Sequence, residues 1–568
     1  MSLRGEAFFL FLMKKGGEMK KGILVFLCIL GAFFLMVSAD SAKKGSTPTI
    51  GASQRWVLSV KPGFSPSDVM ALGGTCLWYW REAGIAAVDS SNPDFGILAK
   101  GKTIDFAVAD VAAKPPKRLA VPKTAGSPSP FDAYASNYQW YWQAIGAAKP
   151  RPYMEPEWQL GDYKGSRVKI GIIDTGAPAA WDSEGNPIGL HPEFNEYDPN
   201  HPELGGVVLL RDPNTGDVLN YDNWGHGTAV GSTIGAQHRG EGAMRGLAPN
   251  AILYFHRIDW DNFYSSAVEG WYKAAQFGCQ ILNNSWFSWE IPVERYGDIA
   301  FKFPIIYRKA ATELYRRGVL IVAAATNDPI DPKKDGATYY PWGDYGLYHG
   351  LSATFLIPQS MPHVIVAGGT GPADYDPFAS DLSKYNPWPG SPSGGQKGKA
   401  FNLDMAVNCY GPPEMGGPWW FGSAYGPFLT VMAPMGENIR DWNVPFENLL
   451  FQLMYLAAPW EWLPGEGRHD YWAGTSFSSP ITCGVAALAA EAYFRVHGVM
   501  PSPVTLASIL KMSADDLVGP ATDDFWVWNK KTLQFDFLTN VPADQPGKDM
   551  RYGFGRVNPK KAIELAQR

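Results

Sequence analysis

The sequence predicts an α/β protein whose main domain is built on a mainly parallel sheet, preceded by a small α+β unit. Three observations predict it. From about Asn137 onward, short runs rich in Val and Ile alternate with stretches of helical spacing. Those runs are apolar almost throughout, as strands are when helices cover both faces of a parallel sheet. Ahead of them, over residues 55–112, strand and helix signals follow one another closely, and a run rich in Pro, Ser and Gly closes the segment.

The chain has 568 residues, 46% apolar and 18% charged, a balance that buries a core and is unlike that of a disordered protein. The length calls for more than one unit. Net charge is −6 and no basic face stands out, which excludes an ordinary nucleic-acid binder. Abundant Trp and Pro are read as long ordered surface loops.

Met19-Lys20-Lys21, the apolar run Ile23–Val37 and Ser38-Ala39-Asp40 form a charged start, an apolar stretch and a small-residue cleavage signal. Residues 1–39 are therefore expected to be a removable export signal, with Met19 the true start. An uncleaved anchor is the rival, but the run is at the lower limit of a bilayer span. No later segment is long and apolar enough for one, so no stable membrane span is expected after cleavage, and the product is placed outside the cytoplasm. Cys28 falls in this leader. The wide spacing of Cys76, Cys279, Cys409 and Cys483 fits no zinc motif, and one disulfide or buried free thiols both remain open.

Residues 40–54 read as a linker. Trp56–Val60 reads as a strand, Pro62-Gly63 as a turn, and Ser65 as the N-cap of a helix through Met70. Strand signals recur over Gly84–Val88 and Ile104–Val111. Residues 113–136 have linker composition, where proteolytic cutting is natural. In the main domain, 137–568, Val168–Ile173, Ile252–Ile258, Gln280–Asn284, Val319–Ala325, Val364–Ala367 and Leu429–Met432 read as buried strands. Ser265–Phe277 and Tyr307–Arg317 read as helices. Stretches 374–422 and 440–469 show no period and are read as surface insertions.

Ligands bind beyond the carboxyl ends of such strands. Asp174 directly follows the first of them, although an Asp there can equally bind a ribose, take a phosphoryl group or cap a helix. His226 lies between glycines in Asn223-Trp224-Gly225-His226-Gly227-Thr228, at the start of a helix of small residues. Ser476, in Gly474-Thr475-Ser476-Phe477-Ser478-Ser479-Pro480, opens another, where the helix dipole and free N–H groups favour developing negative charge. Taken alone it reads as a plain N-cap. Together, Asp, His and Ser at Gly-rich junctions of one α/β domain make a serine-hydrolase constellation, in the chain order known for subtilisin.

Ile172-Ile173-Asp174-Thr175-Gly176, His226-Gly227-Thr228 and Gly474–Pro480 resemble the three signature motifs of the subtilase family of serine peptidases. His191-Pro192-Glu193-Phe194, Gly246–Ala251, Val431–Pro434 and Gly553–Asn558 extend the resemblance over about 137–566. It implies a three-layer subtilisin-like domain and an Asp174-His226-Ser476 triad acting on protein or peptide substrates. Val322–Asn327 resembles the family's Ala-Ala-Ala-Gly-Asn, which implies that Asn327 serves the oxyanion hole. Ser285, Trp286, Phe287 and Thr326 fall where the family binds substrate. Thr326 replaces a Gly, and Asn284-Ser285-Trp286-Phe287 replaces Ser-Leu-Gly, which implies a narrowed pocket favouring small or unusual P1 residues.

Residues 55–112, including Lys61-Pro62-Gly63, resemble the family's ferredoxin-like inhibitory propeptide, implying that the chain carries its own intramolecular inhibitor. No cofactor is required for the chemistry. The resemblance allows structural Ca²⁺, although Glu193 stands at the usual Asp and no compact Asp/Asn loop is visible. Rival readings are a catalytically silent subtilase-like binding module and a sedolisin-like serine-carboxyl peptidase. Intact Asp174, His226, Ser476 and Asn327 disfavour the first, and the Gly-His-Gly-Thr frame disfavours the second.

Overall fold

Alternation along the N-terminal strands divides their side chains between two cores. In this computed structural model, β1 (Gln54–Val60), α1 (Pro66–Met70), β2 (Gly74–Trp80), β3 (Ile85–Ser90), α2 (Phe95–Leu98) and β4 (Ile104–Ala109) form a sheet of order β2-β3-β1-β4. The succession β-α-β-β-α-β is the ferredoxin-like arrangement. Leu58, Val60, Ala86, Val88, Ile104 and Ala107 turn inward to Val69 and Phe95. Val57, Ile85 and Val108 turn the other way, towards the main domain. Ser65 caps α1, and Asp68 returns a bond to the Ser65 N–H, completing a capping box. β2 was not expected; a bulge between Cys76 and Trp78 breaks its alternation.

The main domain contains β5 (Lys169–Asp174), β6 (Gly206–Val208), α3 (His226–Gly235), β7 (Ile252–Arg257), α4 (Phe263–Phe277), β8 (Ile281–Asn284), α5 (Ile299–Arg316), β9 (Leu320–Ala324), β10 (Val364–Thr370), β11 (Leu429–Pro434), α6 (Thr475–His497), α7 (Pro503–Met512) and α8 (Pro559–Ala566). Its strands form one sheet of order β6-β7-β5-β8-β9-β10-β11, with every neighbouring pair parallel. Each strand read from the sequence is found within a few residues. β6 was missed because three residues make no recognisable run.

One face of the sheet packs on α3 and α6, and the other on α4 and α5. The run Ile481–Ala490 of α6, rich in Ala and other small residues, is buried all round, which suits a helix inside a large core. Met454–Ala457 and His469–Trp472 pair as an antiparallel hairpin against α3. Part of the expected 440–469 insertion is therefore core: Met454, Leu456 and Ala457 are buried.

The described residues are 53–112, 139–151, 154–239, 243–286, 299–327, 357–370, 423, 428–436, 454–459, 468–517, 522–529, 534–542, 547–549 and 552–568. The expected signal, the linkers except for residues 53 and 54, the 374–422 insertion, Phe287, Cys28 and Cys409 lie outside them. Cys76, Cys279 and Cys483 carry free thiols. Among the described residues no helix is long and apolar enough to cross a membrane.

Candidate active site

Parallel strands bring their carboxyl ends to one edge of the sheet, and the expected residues gather there. Asp174 is the last residue of β5 and His226 the first of α3. His226 Nδ1 lies 2.8 Å from Asp174 Oδ1, and both side chains are buried. The same carboxylate oxygen accepts the Thr175 N–H at 2.7 Å. This approach needs Gly227, because a Cβ there would lie 2.5 Å from the Gly176 carbonyl oxygen. The Gly227 N–H instead donates to Thr175 Oγ1 at 2.7 Å, tying the two loops together.

The sequence reading missed what starts α3. Gly225, its N-cap, has no side chain to offer. Asp222 supplies the carboxylate: one oxygen accepts from the Trp224 and Gly225 N–H groups, the other from the Thr228 N–H and hydroxyl, all at 2.7–2.8 Å. Burial pushes the Asp222 carboxyl up and these four donors pull it down, leaving it above the ordinary carboxylate value. An Asp shortly before Gly-His-Gly-Thr was the available signal.

Ser476 is the second residue of α6 and is partly exposed. Its hydroxyl donates to the Ser285 carbonyl at 3.3 Å, while the Ser285 hydroxyl donates to the Ser476 carbonyl at 2.6 Å. Asn283 Nδ2 donates to Ser285 Oγ at 3.0 Å, and Ser479 Oγ donates to Asn283 Oδ1 at 2.7 Å. The end of β8 and the first turn of α6 are thus cross-linked beside the Ser476 hydroxyl.

Asn327 lies just past β9. Its Oδ1 accepts the Thr475 N–H at 2.7 Å and the Thr475 hydroxyl at 2.9 Å. A backbone N–H can only donate, so the amide orientation is fixed and Nδ2 is left as the free donor. A side chain at Gly474 would come within 3.1 Å of that nitrogen. Thr475 Oγ1 also accepts the Thr326 N–H at 3.0 Å. Thr326 is buried with φ at 100°, a conformation that disfavours β-branched residues.

Of the other expected pocket residues, Ser285 stands beside Ser476. Trp286 is buried and packs edge-on against Phe263 at 5.2 Å, so its ring belongs to the core between α4 and α5. Its carbonyl and that of Ala324 accept bonds from Gln359 Nε2, which joins the ends of β8 and β9. Glu193 is buried beside the hairpin: its Oε1 accepts the Met244 N–H at 3.0 Å and lies 2.9 Å from His469 Nε2. Among the described residues no three His, Cys, Asp or Glu side chains are grouped to hold a metal ion.

A parallel α/β sheet carrying a buried carboxylate–imidazole pair, a helix-start hydroxyl and an oriented amide donor has the parts for acyl transfer at a carbonyl carbon. The sequence model of the subtilase family of peptidases matches residues 165–555, and the chain belongs to that family. It is 31% identical to Subtilisin DY of Bacillus licheniformis over 172 residues, 30% of this chain and 50% of that protein. It is 30% identical over 135 residues to Minor extracellular protease Vpr of Bacillus subtilis (strain 168), 22% of this chain and 15% of Vpr. The chain thus spans half the length of the first relative and less of the second. Among solved structures, the epidermin leader peptide processing serine protease (EpiP) of Staphylococcus aureus aligns with a TM-score of 0.50 at 18% identity, covering 91% of this chain and 99% of that one. At this identity the likeness speaks for the fold.

Proposed function

We propose that this chain is a secreted serine endopeptidase, made with an export signal and an inhibitory N-terminal segment. It cleaves peptide bonds through Asp174, His226 and Ser476. The observation that carries the reading is the buried 2.8 Å bond between Asp174 and His226 at the sheet edge where Ser476 opens α6. Asp174 holds the imidazole with its proton on Nδ1, leaving Nε2 as the base. The Ser476 hydroxyl turns about χ1 from the Ser285 carbonyl to Nε2, gives up its proton and attacks the substrate carbonyl. Asn327 Nδ2 and the Ser476 N–H receive the oxyanion. His226 then protonates the leaving amine, and water releases the acyl-enzyme.

An extended substrate would pair along the strand end at Ser285. Thr326 leaves less room than a Gly beside the P1 side chain, so small P1 residues are favoured. Family membership and the apolar leader support export, and one relative is itself named an extracellular protease.

Inhibition by residues 55–112 is supported by their contacts with α4 and α5. Asp110 accepts the Tyr264 and Ser265 N–H groups at 3.0 and 2.9 Å, capping α4 from outside. Lys309 donates to Ser59 at 2.6 Å, and Trp80 stacks on Tyr272 at 5.3 Å. The test is covalent labelling of the processed protein by a fluorophosphonate. Labelling and peptide cleavage are expected together, and both are lost in Ser476→Ala. Failure of the processed protein to label would defeat the reading.

A further inference from the structure

Trp472 ends the hairpin strand leading into the Gly474-Thr475-Ser476 turn. Its ring centre lies 6.1 Å from that of His226, at an interplanar angle of 76°. Phe477 lies 5.8 Å from each of them. All three side chains are buried. The imidazole is therefore bonded to Asp174 at one nitrogen and walled by two aromatic rings. Trp472 Nε1 is buried with no hydrogen-bond partner, so what this residue supplies to its neighbours is ring surface.

The strand carrying Trp472 is pinned from its other face, since residues three apart on a strand point to opposite sides. There His469 Nε2 meets Glu193 Oε1 at 2.9 Å, in a pair shielded from water. His191 takes the Glu193 N–H on Nδ1 at 3.1 Å. Its Nε2 serves the Ala458 and Arg468 carbonyls, one at the end of each strand, at 3.1 and 2.9 Å. The hairpin is also tied to α3 by the Ala457 N–H on Ser232 Oγ at 3.2 Å. Sliding of the strand would break a buried carboxylate–imidazole hydrogen bond, which is costly.

We propose that Trp472 is a positioning residue for the His226 imidazole, held in place by the buried Glu193–His469 pair. The proposal rests on the reading of His226 as the general base. During turnover the imidazole must pass a proton from Ser476 to the leaving amine without swinging off Asp174. The Trp472 ring blocks that swing, acting on orientation and therefore on kcat rather than on substrate binding.

The test compares kcat and KM on one peptide substrate for the processed full-length product and for Trp472→Ala, Trp472→Phe and His469→Gln. Ser476→Ala and His226→Ala serve as controls. Trp472→Ala is expected to lower kcat about 10–100-fold with KM changed less than about twofold, the scale of a slight misplacement of a reacting group. Trp472→Phe restores kcat to within about threefold of the parent, and His469→Gln falls between Trp472→Ala and the parent. Fluorophosphonate labelling rates follow kcat and keep the test decisive where a variant is made in low yield. An unchanged kcat in Trp472→Ala, a Trp472→Phe as impaired as Trp472→Ala, or a loss carried by KM overturns the proposal while the controls remain inactive. Turnover surviving in Ser476→Ala or His226→Ala instead defeats the underlying functional reading.

Discussion

Replacing His191 by Gln should remove about 2 kcal/mol of acid sensitivity from the fold. His191 Nδ1 accepts the Glu193 N–H, so the ring is neutral with its proton on Nε2, facing two carbonyls. A second proton would set Nδ1–H against that N–H in a buried site. Burial, reinforced by neighbouring His469, pushes His191 from its ordinary 6.5 down to about 4. Between these values the unfolded chain binds the extra proton and the folded chain does not, so stability falls as pH falls. From about pH 7.5 to about pH 5 this one group costs about 2 kcal/mol. The assay is urea unfolding of the Ser476→Ala chain, which cannot digest itself, with and without His191→Gln, at both pH values. His256, which burial likewise pushes down to about 4, titrates in both chains and cancels. So do Asp110 and Asp222, whose carboxyls burial raises. The Gln variant should lose about 2 kcal/mol less than its parent over this interval. Equal losses would refute the account of His191.

Asn327→Ala should lower kcat about 10²–10³-fold with little change in KM, the loss known for an oxyanion donor in a subtilisin, as steady-state kinetics will show. Thr326→Gly should relieve a positive-φ strain of about 1–3 kcal/mol and widen the pocket, so that a peptide library shows larger P1 residues accepted. Asp222→Ala strands buried N–H groups at the start of α3 and should cost about 2–3 kcal/mol in thermal unfolding, with Asp222→Asn milder. Asp110→Ala removes the cap that the N-terminal unit places on α4. Activity should then appear about tenfold sooner after processing, read by following peptide cleavage in time.

What the sequence made legible was local. Asp174 sits at a strand end because Val168–Ile173 is an unbroken apolar run, and Ser65 is followed by Asp68 at capping-box spacing. The rest depended on pairings with no local trace. Glu193 and His469 are 276 residues apart, and nothing near either announces the other. Met454–Ala457 is only four residues long and lies in an aromatic- and Pro-rich stretch with no period, so buried strand read as surface. The place of the Trp286 ring has a different origin. Neighbours on an extended chain face opposite ways, and a ring beside a hydroxyl that faces Ser476 is sent to the core.

The packing of the N-terminal unit has a consequence for the maturation proposed above. Val57, Trp80, Ile85 and Val108 share one cluster with Phe263, Trp271 and Tyr307. Shedding residues 55–112 would be a wetting event as much as an unblocking one. At about 25 cal/mol for each Å² of apolar surface newly exposed, α4 and α5 would be left with a face that attracts other greasy surfaces. The released segment would compete for that face with neighbouring molecules. Destruction of the segment, rather than its mere detachment, would then make activation one-way, and it would do so only once the main domain no longer needed the cover.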